Sequence, residues 1–169
     1  NERLPIIVKD ARPIYDVNRD KFSWIPKENL YALDHMDKGA GQIRTNGRFA
    51  FTVNYETVAA KVQDVLTQIT NARIINNEKY ELLGTETEIH MIFSVCGGTG
   101  CGTFLNMAYL LRKEAPGCKI TGYAVLPGVF KNMSKSGMAK VEPNAYGAIQ
   151  DLDFLMHMGI DSTPFNLEY

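Results

Sequence analysis

The residues with the most chemical potential are Gly97-Gly98-Thr99-Gly100-Cys101-Gly102, four glycines in six positions. Glycine admits backbone angles closed to other residues and leaves no Cβ between main chain and ligand. The amides of such a turn, joined by those opening the next helix, converge on one point and attract an anion. Each amide bond to a charged oxygen contributes on the order of 1.5–3 kcal/mol net. A phosphate held this way needs no side-chain cation, and no Lys or Arg stands between Val95 and Leu111. The plainer alternative is a tight strand-to-helix turn that holds nothing. Two phosphate motifs are excluded by spacing. A P-loop needs Lys after its last glycine, where this chain has Thr103-Phe104. A dinucleotide fingerprint counted from Gly98 and Gly100 needs glycine at Thr103.

Thr99 offers a hydroxyl to phosphate or, equally, a cap to the following helix. Cys96, Cys101 and Cys118 are too few and too odd in number for a disulfide scaffold. Cys96, Cys101 and His90 share one strand and its turn, a poor arrangement for converging on a metal, so reduced thiols in a cytoplasmic setting are expected. His35 and His157 have no partner pattern and receive no role. Met133, Met138, Met156 and Met158 read as gap-filling packing.

The turn must be carried by the elements on either side. Glu88 to Val95 is a short apolar run of strand character, and Phe104, Leu105, Ala108 and Leu111 then fall at helical spacing. Arg112 and Lys113 favour the carbonyl end of that helix, and Pro116-Gly117 stops it. Ile120 to Leu126 predicts a second strand, closed by Pro127-Gly128. After a loop over Lys131 to Lys140, Pro143 is read as opening a helix whose stripe is Ala145, Ala148, Ile149, Leu152, Leu155 and Met156. Upstream, helical patterning starts near Phe49, and Val58, Val62, Val65, Leu66 and Ile69 form one stripe. The polar stretch from Asn71 to Gly84 is expected to break it. The first 35 residues read as irregular, with a short strand over Leu4 to Val8. Strand, glycine turn, helix, strand, loop, helix predicts α/β architecture with a mainly parallel sheet.

At 169 residues, 45% apolar and 22% charged, the chain has the size and mix of one globular domain. Its formal net charge of −1 argues against nucleic acid as a partner. No apolar run reaches the roughly 18 residues of a membrane span, and no secretion signal opens the chain. Because residue 1 is Asn rather than Met, the chain reads as part of something longer.

The glycine turn, flanked by an apolar strand and an apolar helix, resembles the Gly-Gly-Gly-Thr-Gly-Ser/Thr-Gly signature of the tubulin/FtsZ superfamily. Thr103 through Leu111-Arg112-Lys113-Glu114-Ala115-Pro116 looks like the tubulin helix that follows it. Gly39-Ala40-Gly41, with Gly47-Arg48 and a helix beyond, is similar to the loop that faces the terminal phosphate. Val141-Glu142-Pro143-Asn144-Ala145 resembles tubulin's Val-Glu-Pro-Tyr-Asn-Ala. The four matches keep family order over residues 35 to 158 and look most like the divergent bacterial tubulin-like proteins.

The resemblance implies a three-layer α/β/α, GTP-binding fold, with residues 1–169 forming a single, incomplete domain. The first phosphate loop, the later core helix and the C-terminal domain would lie outside this chain. Gly97, Gly98, Thr99, Gly100, Cys101 and Gly102 would cradle the α- and β-phosphates of GTP or GDP, with Mg2+ bound through the nucleotide. Gly39, Ala40 and Gly41 would sense the γ-phosphate, and Glu142 would accept from the ribose. Glu142 has a plainer role as well, an acid favouring the positive end of the next helix. Arg44 and Arg48 would meet phosphate or a neighbouring subunit, or form surface ion pairs. Asn166 is a candidate for reading guanine, or, after Pro164-Phe165, part of an incoming strand. Two departures stand out: Cys96 replaces the signature's first glycine, and Cys101 replaces a small hydroxyl residue. The parent protein would be a filament-forming cytoskeletal GTPase whose active site is completed between subunits, this chain alone being inactive. The alternative is a tubulin-fold scaffold module that has lost nucleotide binding.

Overall fold

The computed structural model describes residues 3–74, 86–132 and 135–158. Helix α1 spans Ala11–Val17, and a 3-10 segment covers Lys27–Lys38 with a kink at His35. Then follow α2 (Arg44–Val53), α3 (Tyr55–Ile74), β1 (Glu88–Ser94), α4 (Thr99–Glu114), β2 (Lys119–Val125) and α5 (Lys135–Met158). The chain is mixed α/β and mostly helical. β1 and β2 pair in parallel, from Glu88 opposite Lys119 to Ser94 opposite Val125, with α4 as the crossover.

That unit sits where the apolar runs and the glycine turn placed it. Phe93 of β1 stacks on Phe104 of α4 with ring centroids 4.8 Å apart, fastening the helix to one face of the sheet. At the far end Arg112 donates to the carbonyls of Pro116 and Cys118, at 3.0 and 2.9 Å, and so serves carbonyls just beyond the helix end. Ile92 and Tyr123, opposite one another in the register, are 79% and 50% exposed. The described residues thus form a two-stranded sheet, a smaller assembly than three full layers.

The structure departs from the sequence pattern in five places. Leu4 to Val8 is not a strand; Ile6 and Val8 pack against a cluster that includes Ala11, Phe22, Leu33 and Phe49. The first 35 residues are likewise not irregular, since α1 and the 3-10 segment build that cluster. Helix α2 begins at Arg44, ahead of Phe49, because buried Asn46 donates to the Ala32 carbonyl at 3.3 Å and Gly47 packs against the glycine turn. Helix α3 runs through Asn71 to Ile74, as Asn71-Ala72-Arg73 contains no residue that forbids helix. Its stripe is buried at Val58, but Val65 and Ile69 line an open apolar groove with Ile89 and Met107. Finally, α5 starts at Lys135, so Pro143 lies inside the helix rather than at its opening. Proline there removes one helix bond, while Val141, Ala145 and Ala148 on the same helix are buried against Val95, Cys101 and Phe104. Of the methionines, Met138 packs on this cluster, whereas Met156 is exposed.

Candidate functional site

The turn begins where the strand pair ends. Val95 N–H still donates to the Val125 carbonyl at 3.3 Å. The next amide, of Cys96, is taken by Ser94 Oγ at 3.2 Å, and the buried Cys96 thiol points at the Val125 carbonyl, 3.6 Å away. Cys96 therefore adds no free amide, and the run of available main chain starts at Gly97. Gly98 is the N-cap of α4, and its carbonyl accepts from Gly102 N–H at 3.0 Å. No side chain caps this helix. The amides of Thr99, Gly100 and Cys101 lie in its first turn, where an α-helix has no acceptor of its own to offer. Thr99 is the first helical residue, so its reading as the cap is not borne out.

Close backbone packing, more than flexibility, explains most of the glycines. A Cβ on Gly98 would stand 2.7 Å from both Ala40 Cβ and Ile43 N. One on Gly100 would stand 2.6 Å from the Ser94 carbonyl oxygen. A Cβ on Gly102 would collide with the Arg44 carbonyl and stand 2.7 Å from Arg48 N, and one on Gly47 would collide with the Gly98 carbonyl. Helices α2 and α4 thus meet main chain to main chain, which brings the Gly39-Ala40-Gly41 loop against the glycine turn. Gly97 differs: a Cβ there meets nothing within 4 Å. Gly39 (φ 103) and Gly41 (φ 57) need left-handed angles, and their α-carbons also face open space.

The third wall is α5. Asn144, 8% exposed, donates from Nδ2 to the carbonyls of Gln42 at 2.9 Å and Cys96 at 3.1 Å. Its own carbonyl accepts from the Cys101 thiol at 3.3 Å. Lys140 Nζ donates to the Gly41 carbonyl at 3.3 Å. Glu142 is exposed on this helix, well past its first turn, so the reading of its carboxylate as a partner for the helix's positive end falls away. Sequence reading missed Asn144; its only signal is its place inside the Val141–Ala145 match.

Burial pushes the Cys101 thiol up from its ordinary 9.0 to about 11, so at neutral pH it is a protonated donor. A raised folded-state value means a contribution that is fully present below pH 9 and lost as pH rises towards 11. That loss is on the order of 2 kcal/mol. Urea melts at pH 8 and pH 11 should show it, and Cys101→Ala should shrink the difference between the two.

Arg44 pairs with Asp151 and lies over Gly147, and the Arg48 guanidinium stacks 4.3 Å from the Trp24 ring centroid. Arg44 is thereby the ion-paired group foreseen for one of the two arginines. These side chains border a cavity of about 520 Å3, with Tyr109 and Phe154. It reaches Cys101 and Gly102 at one end of the glycine turn but none of Gly39, Gly41, Gly97 or Gly98. His157 Nδ1 lies 2.7 Å from the Asp153 carbonyl oxygen in the preceding turn of its helix. Among the described residues no helix is long and apolar enough to cross a membrane. Asn166 and Met133 lie outside the described residues.

A family model described as tubulin-like matches residues 9–169. No curated protein and no solved structure matches the chain. The match takes in the Gly39 loop, the glycine turn and the α5 segment, the same three pieces that meet in space. The chain belongs to the tubulin-like family.

Proposed function

We propose that this chain is the GTP-binding core, itself one incomplete domain, of a tubulin-like GTPase that assembles into filaments and completes its active site between subunits. The observation that carries this reading is the seating of the Gly39-Ala40-Gly41 loop against Gly98, beside the open face of Gly97. Main-chain amides from Gly97 through Cys101 hold the α- and β-phosphates, with Gly102 closing the cradle by giving its own N–H to the Gly98 carbonyl, and Cys101 contributing its N–H alone because its thiol is turned inward to Asn144. The Thr99 hydroxyl adds a donor at the solvent side. Gly39, Ala40 and Gly41 meet the γ-phosphate, and Glu142 accepts from the ribose. Mg2+ enters with the nucleotide, offsetting charge that the cradle meets with N–H dipoles only.

The parent protein is expected to bind GTP with a Kd of about micromolar or weaker in calorimetry, and to assemble in light scattering only when GTP is present. Equal scattering with and without GTP, and no heat of binding, would favour the second reading, a tubulin-fold scaffold without nucleotide. One feature supports that rival: the Cys96 amide is already taken by Ser94 Oγ, leaving a shorter cradle.

A further inference from the structure

We propose that Asn144 is a positioning residue that couples the Gly39–Ile43 loop to the glycine turn, and so sets how strongly the site prefers a nucleoside triphosphate over a diphosphate. The inference rests on the proposed nucleotide site and concerns its regulation from α5.

Two consecutive carbonyls of the loop are held by α5 side chains, Gly41 by Lys140 and Gln42 by Asn144. A trans peptide is planar, with N–H opposed to C=O, so fixing a carbonyl fixes the direction of the next amide. Drawing the Gly41 carbonyl towards Lys140 aims the Gln42 N–H away from it. Gln42 itself is left-handed at φ 57, a conformation that a residue with a Cβ keeps only when its surroundings hold it. The Asn144 bond to its carbonyl supplies that restraint. The same Nδ2 reaches the Cys96 carbonyl at the start of the glycine turn, and the Asn144 carbonyl takes the Cys101 thiol in the first turn of α4. The Asn144 side-chain amide therefore ties the loop to the turn, while its main-chain carbonyl anchors the helix start. The turn stays in place through the packing of the Gly98 carbonyl on Gly47 and of Gly102 on Arg44 and Arg48, all in α2, whereas Gly39 and Gly41 face open space. Losing Asn144 should loosen the loop far more than the cradle. A diphosphate held by the cradle would barely register the loss, and a triphosphate that also needs the loop would lose a preset partner.

The experiment is calorimetric titration of the full-length protein with GTP and with GDP, for wild type, Asn144→Ala and Lys140→Met. Asn144→Ala is expected to weaken GTP about tenfold and GDP less than twofold, a fold-change within the range of one or two neutral hydrogen bonds. Lys140→Met, at an exposed position, is expected to weaken GTP about threefold with GDP unchanged. Should Asn144→Ala fail to fold, Lys140→Met alone decides. Val141→Ala serves as a packing control, since Val141 is buried on the same helix but forms no bond to the loop; its GTP-to-GDP ratio should equal that of wild type. Equal losses for both nucleotides, or an unchanged ratio in Asn144→Ala and Lys140→Met, overturn the coupling while leaving the nucleotide site intact. A wild-type protein that binds neither nucleotide overturns the site itself.

Discussion

Gly102→Ala is expected to destabilise the fold by about 3 kcal/mol, although alanine is the better helix former. The new methyl would collide with the Arg44 carbonyl and stand 2.7 Å from Arg48 N and 2.9 Å from Gly47 Cα. All three are backbone atoms of α2, so no side-chain rotation relieves the contact, and α2 and α4 have to separate. Separation would also disturb the buried cluster of Val95, Cys96, Cys101 and Phe104 that α4 shares with α5. Alanine's helix propensity returns about 1 kcal/mol, which the collision outweighs. Thermal melting should fall by roughly 6–12 °C for a domain of this size. An unchanged melting temperature would mean that the close α2–α4 contact is not how the protein packs.

Gly97→Val is expected to do the reverse, sparing the fold and removing nucleotide binding. Beyond its chain neighbours nothing lies within 4 Å of a Cβ at Gly97, and its φ is not in the left-handed region, so the backbone there accepts a residue with a Cβ. In the proposed site, valine would occupy the open space beside Gly97 where the phosphates are to sit. Losing two amide contacts to charged oxygens, at about 1.5–3 kcal/mol each, lowers GTP affinity by roughly 100-fold or more. The expected pair of results is a melting temperature within a degree or two of wild type and no measurable GTP binding. Gly98 and Gly100 are poorer probes, because a side chain at either strikes Ala40, Ile43 or Ser94 and the loss of binding would be confounded with unfolding.

The parallel β1-α4-β2 unit was legible because its signals are local. A seven-residue apolar strand, a glycine turn and a helix ending at Arg112-Lys113 before Pro116 each read correctly from neighbours in sequence. The amino-terminal region was illegible for the opposite reason. Its helix and 3-10 turns are stabilised by Phe22, Leu33 and Phe49 meeting across long separations, which no short-range period reveals. Pro143 misled because a proline after a loop usually opens a helix, and here buried neighbours on both sides carry the helix through it. At the site, sequence marked a glycine cluster but not why its members are glycine. Gly47 answers to the backbone of Gly98 and Thr99, and Gly102 to that of Arg44, Gly47 and Arg48, contacts visible only once α2 and α4 are side by side. Asn144 was missed because its partners, Gln42 and Cys96, are distant main-chain carbonyls, which leave no mark on the sequence.

The most direct measurement follows the backbone amide resonances of Gly97, Thr99, Gly100 and Cys101 while GTP is titrated into the full-length protein. The main-chain cradle predicts saturable shifts at these four amides, with Cys96, whose N–H is occupied by Ser94, moving least within the turn. GTP that binds while these amides stay still, or shifts that gather instead around the cavity of Trp24 and Tyr109, would contradict it.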